Sequence, residues 1–257
     1  MKEITKFMIF AFFPVLAPLL FSSCGSNDEN ETIGPNSGKL VCTMFTRTNY
    51  NIDGSSPTTV RIQYDNMGRV IGVNNYSYKY EQGKIYQGKT IYELSANGLI
   101  TKEIYDTSPN GFRTEVTYEY KNGYLIALHS SYFEYDTHET RERHIYYIWE
   151  DGNMIIATSK APEAMKESDA YAKYEYTDIP NRMPSFQSGF FKDIDIMLQY
   201  CGYFGKLPKN LLKTYYSYSN GEIFNEVHFD YCDFNEYGYP QTGWFGNDFA
   251  TFTWKKL

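Results

Sequence analysis

Tyr118-Glu119-Tyr120-Lys121-Asn122-Gly123-Tyr124-Leu125 decides the fold. Two tyrosines two positions apart fall on one face of a β-strand. Asn-Gly supplies the positive φ values of a tight hairpin turn. The apolar residue after the turn starts a returning strand. The same unit recurs at Tyr78-Lys79-Tyr80-Glu81-Gln82-Gly83-Lys84-Ile85, at Tyr147-Ile148-Trp149-Glu150-Asp151-Gly152-Asn153-Met154 and at Tyr216-Ser217-Tyr218-Ser219-Asn220-Gly221-Glu222-Ile223. Looser copies run from Ile62 to Ile71 around Gly68, from Tyr92 to Ile100 around Gly98, and from Tyr231 to Tyr239 around Gly238.

Repetition of one hairpin predicts an all-β fold: a long antiparallel meander of roughly ten or more strands. A sheet that wide twists, so it curves strongly or closes into a barrel. Two segments break the rhythm. Ala161 to Asp169 reads as a short helix or a loop. Phe190 to Cys201 has apolar residues at 190, 194, 197, 198 and 201, which predicts a short helix near 190–200. Such a helix plugs a barrel end or covers a sheet edge. Lys206-Leu207-Pro208-Lys209-Asn210-Leu211 then turns the chain back into strands, and Phe249 to Trp254 reads as the last one.

The amino terminus sets the location. Lys2 and Lys6 precede an apolar run from Phe7 to Phe21, which is too short for a membrane-spanning helix and is interrupted by Pro14 and Pro18. Ser22-Ser23-Cys24 follows. This resembles a lipobox, with Phe21 where Leu is usual. Residues 1–23 are therefore expected to be a lipoprotein signal peptide, and Cys24 the acylated first residue of the mature chain. Acyl chains contribute about 0.8 kcal/mol per buried CH₂, so several on one residue anchor stably. Residues 24–39 read as a flexible acidic tether, opening Gly-Ser-Asn-Asp-Glu-Asn-Glu after the cysteine. Residues 40–257 form the single β-domain. Outer-membrane lipid, reached through Cys24, is the expected first partner. The acidic run favours the cell surface over the periplasmic face.

Composition excludes some partners. The precursor carries a net charge of −7. Lys2, Glu3 and Lys6 leave with the leader, which takes away one positive charge and makes the mature chain −8. No Lys/Arg cluster is present, so neither nucleic acid nor an anionic lipid surface is a partner. The 26 tyrosines suit the pleated surface of a sheet. Beyond Cys24 there are three cysteines, Cys42, Cys201 and Cys232. An odd number leaves two readings, a Cys201–Cys232 bridge with one free thiol or three buried thiols.

Tyr64-Asp65-Asn66-Met67-Gly68-Arg69 resembles a single YD repeat of the Rhs type. Taken with Cys24, the strand-Gly-strand copies, Lys206 to Leu211 and Tyr237-Gly238-Tyr239-Pro240, the chain is similar to a group of Bacteroidetes lipoproteins of unknown function described as having a porin-like β fold. The likeness covers most of residues 40–257. It implies a shape and an envelope location, and it brings no catalytic residues.

The search for chemistry returns no active constellation. His138 and His144 are six apart in a charged stretch, not at the spacing that places two imidazoles on one helix face, so no metal site is expected. Gly34 to Leu40 is one residue short of a phosphate loop, with Leu40 where a hydroxyl must hold Mg²⁺. There is no Gly-x-Ser-x-Gly elbow. Asp193 and Asp195 share a face only in a strand, and Glu115, Glu119 and Glu134 read as solvent-facing strand positions. The chain is expected to be no enzyme and to need no cofactor. Aromatics are the better candidates, because Tyr and Trp combine contact area with a polar tip. Trp244 and Phe245, in Gly243-Trp244-Phe245-Gly246, together with Tyr239, are the expected ligand-binding residues; Trp149 and Trp254 are expected to fill the core. The expected function is a non-catalytic surface lipoprotein that binds a glycan or protein. The alternatives are a periplasm-facing lipoprotein carrying an apolar ligand inside a barrel, and an envelope glycoside hydrolase.

Overall fold

The computed structural model describes residues 40–49, 56–109, 111–183 and 194–257. The expected leader, Cys24 with its tether, the Phe190 end of the predicted helix and Asp193 lie outside these residues. The described strands, in chain order, are β1 (Leu40–Asn49), β2 (Thr58–Tyr64), β3 (Val70–Val73), β4 (Tyr76–Glu81), β5 (Lys84–Gln87), β6 (Thr90–Leu94), β7 (Ile100–Asp106) and β8 (Phe112–Lys121). They continue with β9 (Tyr124–Glu134), β10 (Thr140–Glu150), β11 (Asn153–Thr158), β12 (Tyr171–Pro180), β13 (Asn210–Ser219), β14 (Glu222–Phe234), β15 (Pro240–Phe245) and β16 (Asp248–Lys256). Every strand pairs antiparallel with its neighbours in sequence, and β1 pairs with β16, so the meander closes into a 16-stranded barrel. Residues 161–169 hold only a 3₁₀ turn, Pro162–Ala164.

The hairpins form for the reason the sequence suggests. Asn122 and Gly123 both take positive φ, 55° and 81°, the two-residue turn that matches strand twist. The looser copies use a second device. Asp65 Oδ1 accepts from the backbone N–H of Met67 and Arg69, and Gly68 at φ 74° closes the turn into a bulge at Tyr64. Ser95 and Asn235 do the same work at the other two.

The aromatic-x-aromatic unit has a specific purpose. The second aromatic lies along the inner wall and donates to a backbone carbonyl on the preceding, adjacent strand. Tyr64 Oη donates to Cys42 O at 2.9 Å, Tyr80 to Val70 at 2.7 Å, and Tyr120 to Ile100 at 2.7 Å. Trp149 Nε1 donates to Leu125 O at 2.7 Å, Tyr176 Oη to Met154 at 2.6 Å, and Trp254 Nε1 to Pro240 at 2.8 Å. Six of the eight even-numbered strands therefore contribute one belt residue. Strands β6 and β14 carry Leu94 and Phe234 at the equivalent place, which have nothing to donate. All but one of the carbonyls belong to the buried residue that follows a turn. The repeat thus satisfies polar atoms that burial would otherwise leave costly, at about 1–3 kcal/mol each.

The belt lies at the end of the barrel where even strands finish. There residues 194–209, which lead into β13, fold inward. They carry the short helix α1 (Ile196–Tyr200), whose first turn is capped by Asp195 accepting from the N–H of Met197 and Leu198. Leu198, Cys201 and Phe204 are buried against the wall, with Phe204 edge-on to Tyr118 at 5.0 Å. Backbone bonds fix this plug to the turns: Lys206 N to Gly123 O, Lys209 N to Gly152 O and Ile100 N to Tyr203 O, each 2.8–2.9 Å.

Cys42, Cys201 and Cys232 form no disulfide. Cys42 and Cys201 are buried, but Cys232 is exposed, so the bridge does not form and only two of the thiols act as core groups. Cys232 stands on the outward-facing register of β14, between the inward Tyr231 and Asp233, which takes a positive φ of 50°.

Candidate functional site

Ion pairs line the outer face of strands β4–β8. The outer wall carries the ion pairs Lys102–Glu115 (2.6 Å), Lys84–Glu93 (2.8 Å), Lys79–Glu81 (2.7 Å) and Arg113–Glu115. Lys102 and Arg113 hold the Glu115 carboxyl below its ordinary range, and Lys84 does the same for Glu93. Among the described residues no helix is long and apolar enough to cross a membrane. Strands are a separate question, and here they carry charge outward. A membrane-spanning barrel shows lipid an apolar band and keeps its polar groups inside. This wall has the opposite arrangement and faces water.

The interior is apolar and only partly filled. Away from the plug, a cavity of about 790 Å³ opens between β1, β13, β14, β15 and β16. Ile196 and Leu212 lie at its floor. Phe45, Phe229, Phe245 and Phe252 form its sides, with Phe245 edge-on to Phe229 at 5.8 Å and to Phe252 at 5.9 Å. Polar groups gather at the rim. Arg47 Nε donates to Asp248 Oδ2 at 2.6 Å, and its Nη2 reaches the same oxygen. Asn49, Asn225 and Asn247 complete the edge. A second cavity of about 280 Å³ lies along β10–β13 and shares Tyr215 with the first.

A buried polar network lies on the β4–β8 side of the interior, where the plug meets the wall. Tyr78 Oη donates to Asp195 Oδ2 at 2.7 Å and accepts from Gln87 Nε2 at 2.8 Å; Tyr118 Oη donates to Glu103 Oε2 at 2.7 Å. Burial raises the Asp195 carboxyl above its ordinary value, against hydrogen bonds that lower it. Burial, then the Asp195 charge, pushes the Tyr78 phenol up. These groups tie the helix cap to the wall and have no open space beside them in the cavities described.

The expected ligand residues are not brought together. Phe245 faces the lumen and lines the large cavity. Trp244, its neighbour, faces outward with 40% exposure and packs on Phe249 at 5.1 Å, tilted 57°. Tyr239 lies at the plugged end, packed against Trp254 at 4.7 Å with the rings tilted by 50°, and with Arg182 over its ring at 5.7 Å. The rim pair Arg47–Asp248 escaped sequence reasoning because its members lie 201 residues apart and meet only through barrel closure. Among the described residues no three His, Cys, Asp or Glu side chains converge as metal ligands.

No protein-family model matches the chain, and no curated protein does. Solved structures do. A porin-like protein from Bacteroides uniformis ATCC 8492 superposes with a TM-score of 0.62 at 12% identity, covering 86% of this chain and 99% of that one. A porin-like protein from Bacteroides vulgatus ATCC 8482 gives a TM-score of 0.58 at 13% identity, with 84% and 99% covered. At such identity the likeness is one of fold: this chain shares the closed antiparallel barrel of those porin-like proteins.

Proposed function

We propose that this protein is an envelope lipoprotein, moored through acylated Cys24, whose barrel is a non-catalytic binding module. Its ligand is amphipathic. The apolar part enters the open end of the lumen and the polar head stays at the rim beside Arg47. One observation carries this reading: a cavity of about 790 Å³ walled by four phenylalanines, with a polar edge and a closed floor. Its size falls in the range of small-molecule sites, about 300–1,000 Å³. Topology supports the anchoring. Strand β1 begins at Leu40, at the plugged end, so a tether leading to Leu40 joins the barrel opposite the mouth. The lumen favours this ligand over a surface glycan, because Trp244 and Phe249 are tilted rather than coplanar.

The test is titration with cis-parinaric acid, whose fluorescence rises in an apolar site. Asn225→Trp places a bulky ring at the exposed rim without touching the core, and weakens binding at least about tenfold. Trp244→Ala leaves it unchanged. Binding indifferent to Asn225→Trp, or lost with Trp244→Ala, rejects the lumen as the site.

A further inference from the structure

The outer wall brings face to face two histidines that lie 15 residues apart in the chain. His129 on β9 is directly opposite His144 on β10. Their Nδ1 atoms are 2.7 Å apart, and the rings meet at 61° with centroids 5.0 Å apart. On the far side of His129, Nε2 lies 3.0 Å from Glu119 Oε1 on β8. Tyr146 packs edge-on against the same ring at 5.9 Å.

These contacts fix a tautomer. An ionised carboxylate only accepts hydrogen bonds. Glu119 therefore holds the proton of His129 on Nε2, and Nδ1 of His129 presents a lone pair toward His144. A carboxylate behind an imidazole is the arrangement that orients metal-bound histidines and raises their basicity. We propose that His129 and His144 form a two-nitrogen site for a divalent transition ion of the imidazole-preferring kind, Zn²⁺, Ni²⁺ or Cu²⁺, with Glu119 as its positioning residue.

The geometry needs a small adjustment. Two nitrogens on one tetrahedral ion at about 2.0–2.1 Å stand roughly 3.3 Å apart, so the pair opens by roughly 0.6 Å. Side-chain rotation on an exposed wall supplies that. The Nδ1 proton of His144 moves to its own Nε2 as the ion arrives, so both lone pairs face the metal and no proton is lost. Solvent fills the remaining positions. With two protein ligands rather than four, the site captures and releases its ion and does not hold the fold together.

The experiment is isothermal titration of Zn²⁺, then Ni²⁺, into the untagged mature chain. One ion binds per chain. His129→Asn and His144→Asn each weaken binding at least about 100-fold, and Glu119→Gln weakens it about 10–100-fold while the ligands remain. His228→Asn and Cys232→Ser, the other exposed imidazole on a strand and the exposed thiol, change nothing. Circular dichroism confirms that each wall variant keeps its β spectrum. As an independent readout, ¹⁵N histidine spectra of the unaltered protein show Zn²⁺ moving the Nδ1 resonances of these two rings together. Zn²⁺ binding that survives the double His129→Asn/His144→Asn variant, or no saturable binding below about 1 mM, overturns the proposal.

Discussion

Gly205→Ala, set against Gly202→Ala, measures how firmly the plug is seated. Both glycines lie in the plug, at φ 83° and 86°, so each pays the left-handed penalty of a side chain, about 1–2 kcal/mol. Their surroundings differ. A Cβ on Gly202 meets nothing within 4 Å, whereas one on Gly205 collides with the carbonyl oxygen of Gly123. That oxygen also accepts from Lys206 N at 2.8 Å. Relief of the collision displaces the backbone bond, about 1 kcal/mol, and loosens Phe204, whose full burial is worth about 1.5–3 kcal/mol. Gly205→Ala should therefore be about 2–3 kcal/mol less stable than Gly202→Ala. Urea unfolding followed by tryptophan fluorescence gives the difference, and limited proteolysis reports whether the connection opens before the barrel does. Two variants within about 0.5 kcal/mol of each other, with equal protease resistance, would refute the docking argument.

Two further outcomes follow from buried groups. Asp195→Ala removes the acceptor of two helix N–H groups and of Tyr78, and should cost about 2–4 kcal/mol in urea unfolding. Because burial raises the Asp195 carboxyl above its ordinary 3.8, the folded chain binds that proton more tightly than the unfolded one. Its contribution is thus largest below pH 3.8 and falls as pH rises toward the raised value. Asp195→Asn should abolish that slope; an unchanged pH profile counts against burial as the cause. For the thiols, burial pushes Cys42 up to about 12, and Cys201 is equally enclosed. N-ethylmaleimide should label Cys232 alone of these three in the folded protein, and all three in guanidinium, as read by peptide mass spectrometry.

The strands were legible because turn chemistry is local. Asn122-Gly123 and Asp65-Asn66-Met67-Gly68 announce their conformations within a few residues, and the structure adopts them. The helix near 190–200 was legible from its apolar spacing, although its described part is a single turn. Side-chain direction was legible in principle: the alternation that turns Phe245 inward turns Trp244 outward, and aromaticity alone obscured that parity. The aromatic belt was visible only as a repeat. Its purpose depends on carbonyls of another strand, such as Leu125 O beneath Trp149, which no local pattern names. Closure placed Arg47 on Asp248, and register placed His129 on His144. Both are consequences of pairing between distant positions, beyond what periodicity encodes.

Strand number explains why such a chain has both a plug and a cavity. Barrel width grows with the number of strands, and about sixteen leave more space than ordinary side chains fill. Membrane porins leave that space to water and turn apolar residues outward. Here the wall is charged, so burial of apolar surface has to happen inside. Long aromatics answer part of the demand, since Tyr and Trp lie along the inner wall and still satisfy their polar tips on backbone carbonyls of the adjacent strand. Residues 194–209, from the end of the connection before β13, answer another part by folding inward at one end only. The belt and the plug occupy the same end, so the unfilled volume collects at the other, where Phe45, Phe229, Phe245 and Phe252 face it. An apolar lumen of this kind, walled by four phenylalanines, is the feature that packing alone does not require and that a ligand with an apolar body would complete.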